Sequence, residues 1–292
     1  MRIKQSAGDT VFMVLVYVLL TLLCFLFLVP IMQVVTVSVS PAEIINRYGF
    51  HLIPTKFDFN GYVLVMHNSQ IWLAYKNTIV RTVLGTSITV LLTFMGAYPL
   101  SKKYLVHRKF WTGFIVLTMF FSGGLIPSYL LVKNLGLMNT VWALVLPSAV
   151  SAYMLLVVRS FIAGLPESLE ESAQIDGANE IFVLFLIIIP LSLPIIATVG
   201  LYSAIFHWNA WFDSMIYIQD GKKQVLQILL RNILLVGSDP SWETSTGGLK
   251  MNVNSESLKM ATLVVSMAPI LAVYPFLQKY FLKGALIGSI KG

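Results

Sequence analysis

Charged residues and cysteine are scarce in this 292-residue chain. Charged side chains make up 11% of the residues and hydrophobic ones 57%, a balance far from that of soluble globular proteins. The single cysteine, Cys24, lies inside an apolar run, which excludes a disulfide framework within the chain and leaves its redox compartment open. This composition indicates a membrane protein.

The sequence also lacks the motifs of several function classes. It contains no GxxxxGK[ST] loop to hold nucleotide phosphates, and His107 and His207 are isolated from any cluster with metal-ligand spacing. No nucleophile, base and orienting group occur together. The net charge of +7 is scattered, without the aromatic and basic pattern of nucleic-acid binding, so lipid head groups are the simpler partner. We therefore expect no enzyme, no bound cofactor or metal, and no nucleic-acid partner.

Six long apolar windows are present instead. Each holds at least 19 residues without a charge, close to the roughly 20 that span a bilayer core as a helix. They predict an all-α integral membrane protein, a single domain over residues 1–292. The first window is longer than the apolar core of a signal peptide, so we expect it to remain as an anchor. The six predicted transmembrane helices lie at about residues 11–37, 79–101, 110–132, 140–160, 180–207 and 260–282.

Basic residues set the predicted orientation. Lys102, Lys103, Arg108 and Lys109 cluster in the short loop between the second and third helices, which the positive-inside rule places in the cytoplasm. Alternation from this loop puts both termini and residues 163–179 inside, and residues 38–76 and 208–258 outside. Arg81 lies near the outer end of the second helix, where we expect its side chain to snorkel to the head groups.

An acidic segment precedes the fifth apolar window, and it reads PESLEESAQIDGANEIFVLFLIIIPLSLP from Pro166. Pro166 suits the first position of a helix, acidic residues suit its first turns, and Gly177 suits its left-handed end. The pattern predicts a helix of about ten residues with Leu169 and Ala173 as its buried stripe. Asn179 caps the next helix. Pro190 and Pro194 are expected to kink that helix, as Pro147 kinks the fourth.

The same segment carries a resemblance to a known family. Glu171, Ser172 and Ala173 are followed after three residues by Gly177, and after nine more by Ile187–Pro190. This spacing resembles the EAA loop of the permease subunits of binding-protein-dependent ABC importers, with Ser172 in place of Ala and Ile189 in place of Leu. The Ile-Asp-Gly-Ala run, the Trp-Asn pair after the fifth helix and the Gln-Lys-Tyr-Phe run near the end resemble the carbohydrate-uptake, maltose/oligosaccharide branch.

The resemblance implies a type I ABC importer permease in a bacterial cytoplasmic membrane. It implies a second permease subunit, in a heterodimer, and two ATPase subunits that bind ATP and Mg. It also implies an extracytoplasmic solute-binding protein and alternating access for a sugar, an oligosaccharide by the branch. Residues 163–179 become the cytoplasmic coupling segment, with ATPase-coupling residues Glu167, Glu170, Glu171, Ala173, Asp176 and Gly177. A further ATPase contact at the C-terminus would involve Gln278, Lys279, Lys283 and Lys291.

Two questions stay open at this level. The aromatic segment after the fifth helix is explained by an interfacial belt, but rings also stack on pyranose faces. The residues of that segment that would serve a substrate pathway are Trp208, Asn209, Trp211 and Asp213. Besides the ATP-driven importer, an ion-coupled secondary carrier and a non-conducting assembly subunit are the alternatives. No row of buried carboxylates or inverted repeat favours the carrier.

Overall fold

The structure is a computed structural model, and it describes residues 7–236 and 254–289, with no strand among them. Its helices are α1 (Ala7–Ser38), α2 (Ala42–Tyr48), α3 (Asn60–His67), α4 (Ser69–Ser101), α5 (Arg108–Phe120), α6 (Leu125–Asn134), α7 (Val141–Val145), α8 (Ala152–Ile162), α9 (Ser168–Ile175), α10 (Glu180–Val183), α11 (Ile189–Leu191), α12 (Leu193–Asn209), α13 (Phe212–Tyr217), α14 (Leu226–Val236) and α15 (Ser255–Ser289).

Within residues 7–236 and 254–289, three uninterrupted helices are long and apolar enough to cross a membrane: Gly8–Ser38, Ser69–Ser101 and Ser255–Val273. Three further candidates are bent pairs of helices, which bring the number of spans to six if each pair crosses once. The bends measure 110° between α5 and α6, 54° between Val141–Ser148 and α8, and 84° between Glu180–Leu191 and α12.

Proline accounts for two of these bends, because it lacks a backbone donor and its ring displaces the preceding turn. Pro147 lies in the 3-10 turn Leu146–Ser148 that follows α7. Pro190 and Pro194 flank the break at Ser192, and a π-helical turn, Leu184–Ile188, precedes it. A π-helical turn widens a helix locally, and the bending of the helix is concentrated there.

The described residues group into two compact units. The first comprises the described parts of Met1–Ser69 and Leu230–Pro269. In it the end of α1, α3 and the start of α15 pack together: the Ser38 and Tyr62 hydroxyls are 2.7 Å apart, and Ser257 Oγ donates to the Ser38 carbonyl oxygen at 3.3 Å. The membrane window of α1 has no buried residue, so its apolar side chains are available to lipid or to another subunit.

The second unit comprises Gln70–Leu229 and the described part of Ile270–Gly292. Its largest core cluster joins the end of α4, α8 and the α10–α12 segment, and it contains Phe94, Ala97, Tyr98, Leu100, Met154, Leu155, Val158, Ile162, Val183, Leu184, Ile188 and Val199. This cluster lies directly behind the acidic helix α9, since Leu165, Ala173 and Ala178 pack against it.

Candidate functional site

The acidic helix α9 has eight residues and begins at Ser168, so it is shorter than the predicted helix and starts two residues after Pro166. Gly177 follows it with a φ of +85°, a left-handed conformation that glycine adopts without strain. The Ala178 amide donates to the Ala173 carbonyl oxygen at 2.9 Å and closes the end of α9. The Asn179 side chain then accepts from the Phe182 amide at 2.8 Å and begins α10. Residues 176–179 therefore join the two helices, and Gly177 makes the turn between them.

One side of α9 is held by the basic loop that follows α4. The Glu170 carboxylate pairs with Lys102, and only 15% and 10% of these two side chains remain exposed. The Glu167 carboxylate pairs with Lys103 at 2.6 Å, with both side chains largely exposed. Ala173 packs on the core cluster from the same side. Of the six predicted coupling residues, Glu167, Glu170 and Ala173 thus contact their own bundle.

Glu180 connects the start of α10 to the same loop. Its carboxylate accepts hydrogen bonds from the Tyr98 hydroxyl at 2.5 Å and from the Tyr104 hydroxyl at 2.7 Å. The Gln174 side-chain amide, from the last turn of α9, donates to it at 3.2 Å. The ammonium of Lys102 lies 4.1 Å from the centre of the Tyr98 ring, a cation–π distance. Sequence reasoning missed this carboxylate, because its partners lie more than 70 residues away along the chain.

Burial and neighbouring charges together shift the pKa values of side chains in this region. The hydrogen bond from Lys103, and then its positive charge, lower the pKa of Glu167. Burial, followed by the hydrogen bond to Glu180, raises the pKa of Tyr104 to about 12. Burial lowers the pKa of Lys102, while the carboxylates of Glu180 and Glu167 oppose that shift. At neutral pH Glu167 is therefore an anion and Tyr104 a hydrogen-bond donor.

The other side of α9 is exposed, and its Glu171 also lines a cavity between α9 and the basic loop. Ser168, Glu171, Ser172 and Ile175 are spaced by three and four residues, so they share one helical face, and all four are exposed. Ile175 keeps 86% of its surface. Of the predicted stripe of Leu169 and Ala173, Ala173 packs on the core cluster, whereas Leu169 is 41% exposed in this chain. Asp176 and Gly177 are exposed at its end.

The predicted C-terminal contact is only partly described. The backbone of Gln278, Lys279 and Lys283 belongs to α15, but their side chains lie outside the described residues, as does all of Lys291.

Three of the four predicted pathway residues come together at the far end of the second unit. Asn209, Trp211 and Asp213 line a cavity of about 360 Å³ whose wall also includes Phe206, Phe212 and Tyr217. Trp208 does not line it: this side chain is 8% exposed, and its ring centre lies 6.5 Å from that of Tyr75. Rings with interspersed polar groups are typical of small-ligand cavities.

Arg81 lies behind this cavity and contradicts the snorkelling prediction. Its side chain is 0% exposed and pairs with the carboxylate of Asp213. The guanidinium also donates to the carbonyl oxygens of Ala210 at 3.0 Å and Leu144 at 3.4 Å. A charge inside a bundle requires such partners, because lipid supplies none. In the sequence, Arg81 within an apolar helix was the only sign of a buried ion pair. Its partner Asp213 could not be identified without the fold.

Among residues 7–236 and 254–289, no group of three His, Cys, Asp or Glu side chains is arranged to hold a metal ion.

Relatives and solved structures identify the family, although no family model matches the chain. The polygalacturonan/rhamnogalacturonan transport system permease protein YtcP of Bacillus subtilis (strain 168) is 39% identical over 284 residues, which cover 97% of this chain and 99% of that protein. A chain of a bacterial ABC transporter involved in import of the acidic polysaccharide alginate has a TM-score of 0.89 and 31% identity, with 95% of this chain and 99% of that chain covered.

A second solved chain supports the fold alone, because its identity is only 16%. It comes from a bacterial alginate ABC transporter in complex with an alginate pentasaccharide-bound periplasmic protein, and it has a TM-score of 0.56 with 91% of this chain and 92% of that chain covered. The helical fold, the multi-pass apolar helices and the identity to YtcP over nearly the whole length lead to one conclusion: the chain belongs to the permease subunits of carbohydrate-uptake ABC transporters.

Proposed function

We propose that this chain is one of two different permease subunits of an ATP-driven importer in a bacterial cytoplasmic membrane. It would form half of a pathway for an oligosaccharide and work by alternating access. An extracytoplasmic binding protein would deliver the sugar, and two ATPase subunits would bind ATP and Mg on the inner side. Both termini are cytoplasmic in this proposal, which is supported by the positive-inside rule applied to the basic loop with Lys102 and Lys103 and by alternation across six spans.

The outward face of α9 carries the proposal. Ile175 is 86% exposed on a short helix outside the apolar spans, so its side chain is available to fill a groove on another protein. Glu171 on the same face offers a negative charge to that partner. Gly177 joins α9 to the bent α10–α12 span, so a displacement of α9 would change the tilt of that span. Closure of the ATPases on nucleotide would supply the displacement.

The substrate class is supported by relatives and by the cavity at Trp211. The names of YtcP and of the solved neighbour refer to polygalacturonan, rhamnogalacturonan and the acidic polysaccharide alginate. In the cavity, Trp211 offers a ring for stacking, and Asn209 and Asp213 offer hydrogen-bonding groups for hydroxyls. We therefore propose an oligosaccharide, with oligomers of acidic sugars as the first to be tested.

The proposal is tested on the complex purified from native membranes through a tag on this chain. Wild type is expected to retain Mg-dependent ATP hydrolysis and, in liposomes with the binding protein, to take up oligosaccharide only with ATP. The outward face of α9, with Glu171 and Ile175, is called the docking face below. Ile175→Glu places a second negative charge on it and is expected to remove at least nine-tenths of the co-purifying ATPase activity. Ile53→Glu is the matched control, since Ile53 is 74% exposed in the predicted external segment.

Equal ATPase recovery with Ile175→Glu and Ile53→Glu would refute the docking face. Uptake on an ion gradient without ATP would favour the secondary carrier instead. Undiminished uptake in cells that lack this chain would favour the assembly subunit.

A further inference from the structure

The basic loop and the acidic helix are joined more firmly than a single glycine hinge requires. Lys102, the first residue after α4, pairs with Glu170 in the middle of α9. Lys103, the next residue, pairs with Glu167 before the first turn of α9. The loop therefore runs antiparallel to α9, because the later lysine pairs with the earlier glutamate, and the two pairs hold the helix against the loop at two points.

The two pairs differ in strength. Lys103 and Glu167 are 80% and 69% exposed, and an ion pair in water contributes little. Lys102 and Glu170 are 10% and 15% exposed, so either charge would be left poorly solvated without the other. The inner pair therefore holds the loop and α9 together.

A third contact closes the connection on the far side of Gly177. Glu180, at the start of α10, accepts hydrogen bonds from Tyr98 in α4 and from Tyr104 in the loop. It also accepts from Gln174 in α9. The end of α4, the loop and α9 are thus connected through side chains, independently of the backbone path through Gly177.

We propose that α9 and residues 102–104 move as one body, so that ATPase-driven displacement reaches α4 through Lys102 and Glu170 as well as α10–α12 through Gly177. This inference rests on the proposed coupling role of α9. Lys102 and Glu170 are positioning residues in it: they face the bundle, whereas the docking face carries Glu171 and Ile175. Two long elements, α4 and α12, would then be driven together.

A cross-link tests the rigid-body claim. In a Cys24→Ser background, Lys102→Cys and Glu170→Cys are combined and joined by a short bifunctional thiol reagent in the complete complex. Before cross-linking, oligosaccharide uptake per ATP hydrolysed is expected to fall at least fivefold, because the inner pair is absent. After cross-linking it is expected to return to within twofold of the Cys24→Ser parent. A monofunctional thiol reagent is the control and should restore nothing.

If the cross-link lowers uptake further, the loop and α9 must move relative to each other, and the inference is wrong. The inference is also wrong if the double cysteine variant, before cross-linking, takes up as much oligosaccharide per ATP hydrolysed as the Cys24→Ser parent.

Charge reversal gives a second readout. Lys102→Glu and Glu170→Lys are each expected to lower uptake per ATP at least fivefold, and the double variant to recover to within twofold of wild type. Lys109→Glu, which makes the same charge reversal within the same basic cluster, is the control and should couple normally. A double variant no better than the single ones would overturn the inference. The ratio is measured on complexes that retain ATPase, whereas the docking face is tested by ATPase recovery with Ile175→Glu, so failure of this inference is distinguished from failure of the proposed function.

Discussion

The guanidinium of Arg81 and the carboxylate of Asp213 form an ion pair inside the helical bundle, and this pair joins α4 to the first turn of α13. The backbone carbonyl oxygens of Ala210 and Leu144 accept two further hydrogen bonds from the guanidinium. Removing either charge leaves the other without a partner in a medium that solvates it poorly.

We expect Arg81→Met to lower the free energy of unfolding by about 2–4 kcal/mol, less than for a fully buried pair because a quarter of the Asp213 side chain is exposed. Thermal unfolding in detergent measures the loss. Adding Asp213→Leu should recover part of it, since the unpaired charge is then gone. Lys76→Met, at an exposed site on the same helix, should change little. Equal stability of the Arg81 and Lys76 variants would contradict the role of the pair.

Gly85 of α4 makes room for the imidazole of His207 in α12. A Cβ at position 85 would lie 2.6 Å from Cε1 of that ring, closer than real carbon contacts. Gly85→Ala should therefore separate the two helices and cost about 1–3 kcal/mol in unfolding free energy. Gly200→Ala is the matched control, because its nearest neighbours would lie 3.9 and 4.0 Å away. His207→Ala should relieve the Gly85 variant, and failure to do so would refute the steric account.

The carboxylate of Glu180 accepts hydrogen bonds from the hydroxyls of Tyr98 and Tyr104. Glu180→Gln keeps its shape but removes the charge that strengthens both hydrogen bonds, and we expect a loss of about 1–3 kcal/mol in unfolding free energy. Glu171→Gln, on the outward face of α9, should cost much less in the isolated chain. Combining Glu180→Gln with Tyr104→Phe should cost less than the sum of the two single effects, as a double-mutant cycle in detergent will show. Additive effects would mean that the two groups act independently.

The orientation of α9 can be read by cysteine labelling. In a Cys24→Ser background, Ser172→Cys should react with a membrane-impermeant maleimide in inside-out vesicles but not in intact protoplasts. Ile53→Cys should show the opposite pattern, because residues 38–76 are predicted outside. Labelling of residue 172 from the outer side would remove the basis for ATPase docking.

The ring of Trp211 is expected to contact sugar during uptake. Trp211→Leu should raise the KM for oligosaccharide by up to about tenfold, the size of one lost aromatic contact. Trp142→Leu, at a tryptophan that is 43% exposed and outside the cavity wall, is the control. A rise of the same size in both variants would point to an interfacial belt.

Much of the fold could be predicted from local chemistry. Charge-free windows identify the apolar spans because a bilayer core admits only such segments with their backbone hydrogen bonds closed. Gly177 and Asn179 mark a helix end and a helix start because one adopts a positive φ and the other accepts a backbone hydrogen bond within three residues. The bends near Pro147 and Pro190 are local as well, since a missing donor acts within one turn.

Side-chain direction and long-range pairing could not be predicted in this way. Glu170 and Glu171 are neighbours in sequence, yet Glu170 pairs with Lys102 and is largely buried whereas Glu171 is exposed, because docking of the helix on the loop sets its rotation. Arg81 meets a carboxylate that follows 132 residues later. The sequence by itself determined the apolar spans, the acidic helix and the glycine that ends it, all of which depend on forces within a few residues. Only the tertiary structure decided which charges are paired inside the bundle, because burial of a charge depends on where distant helices meet.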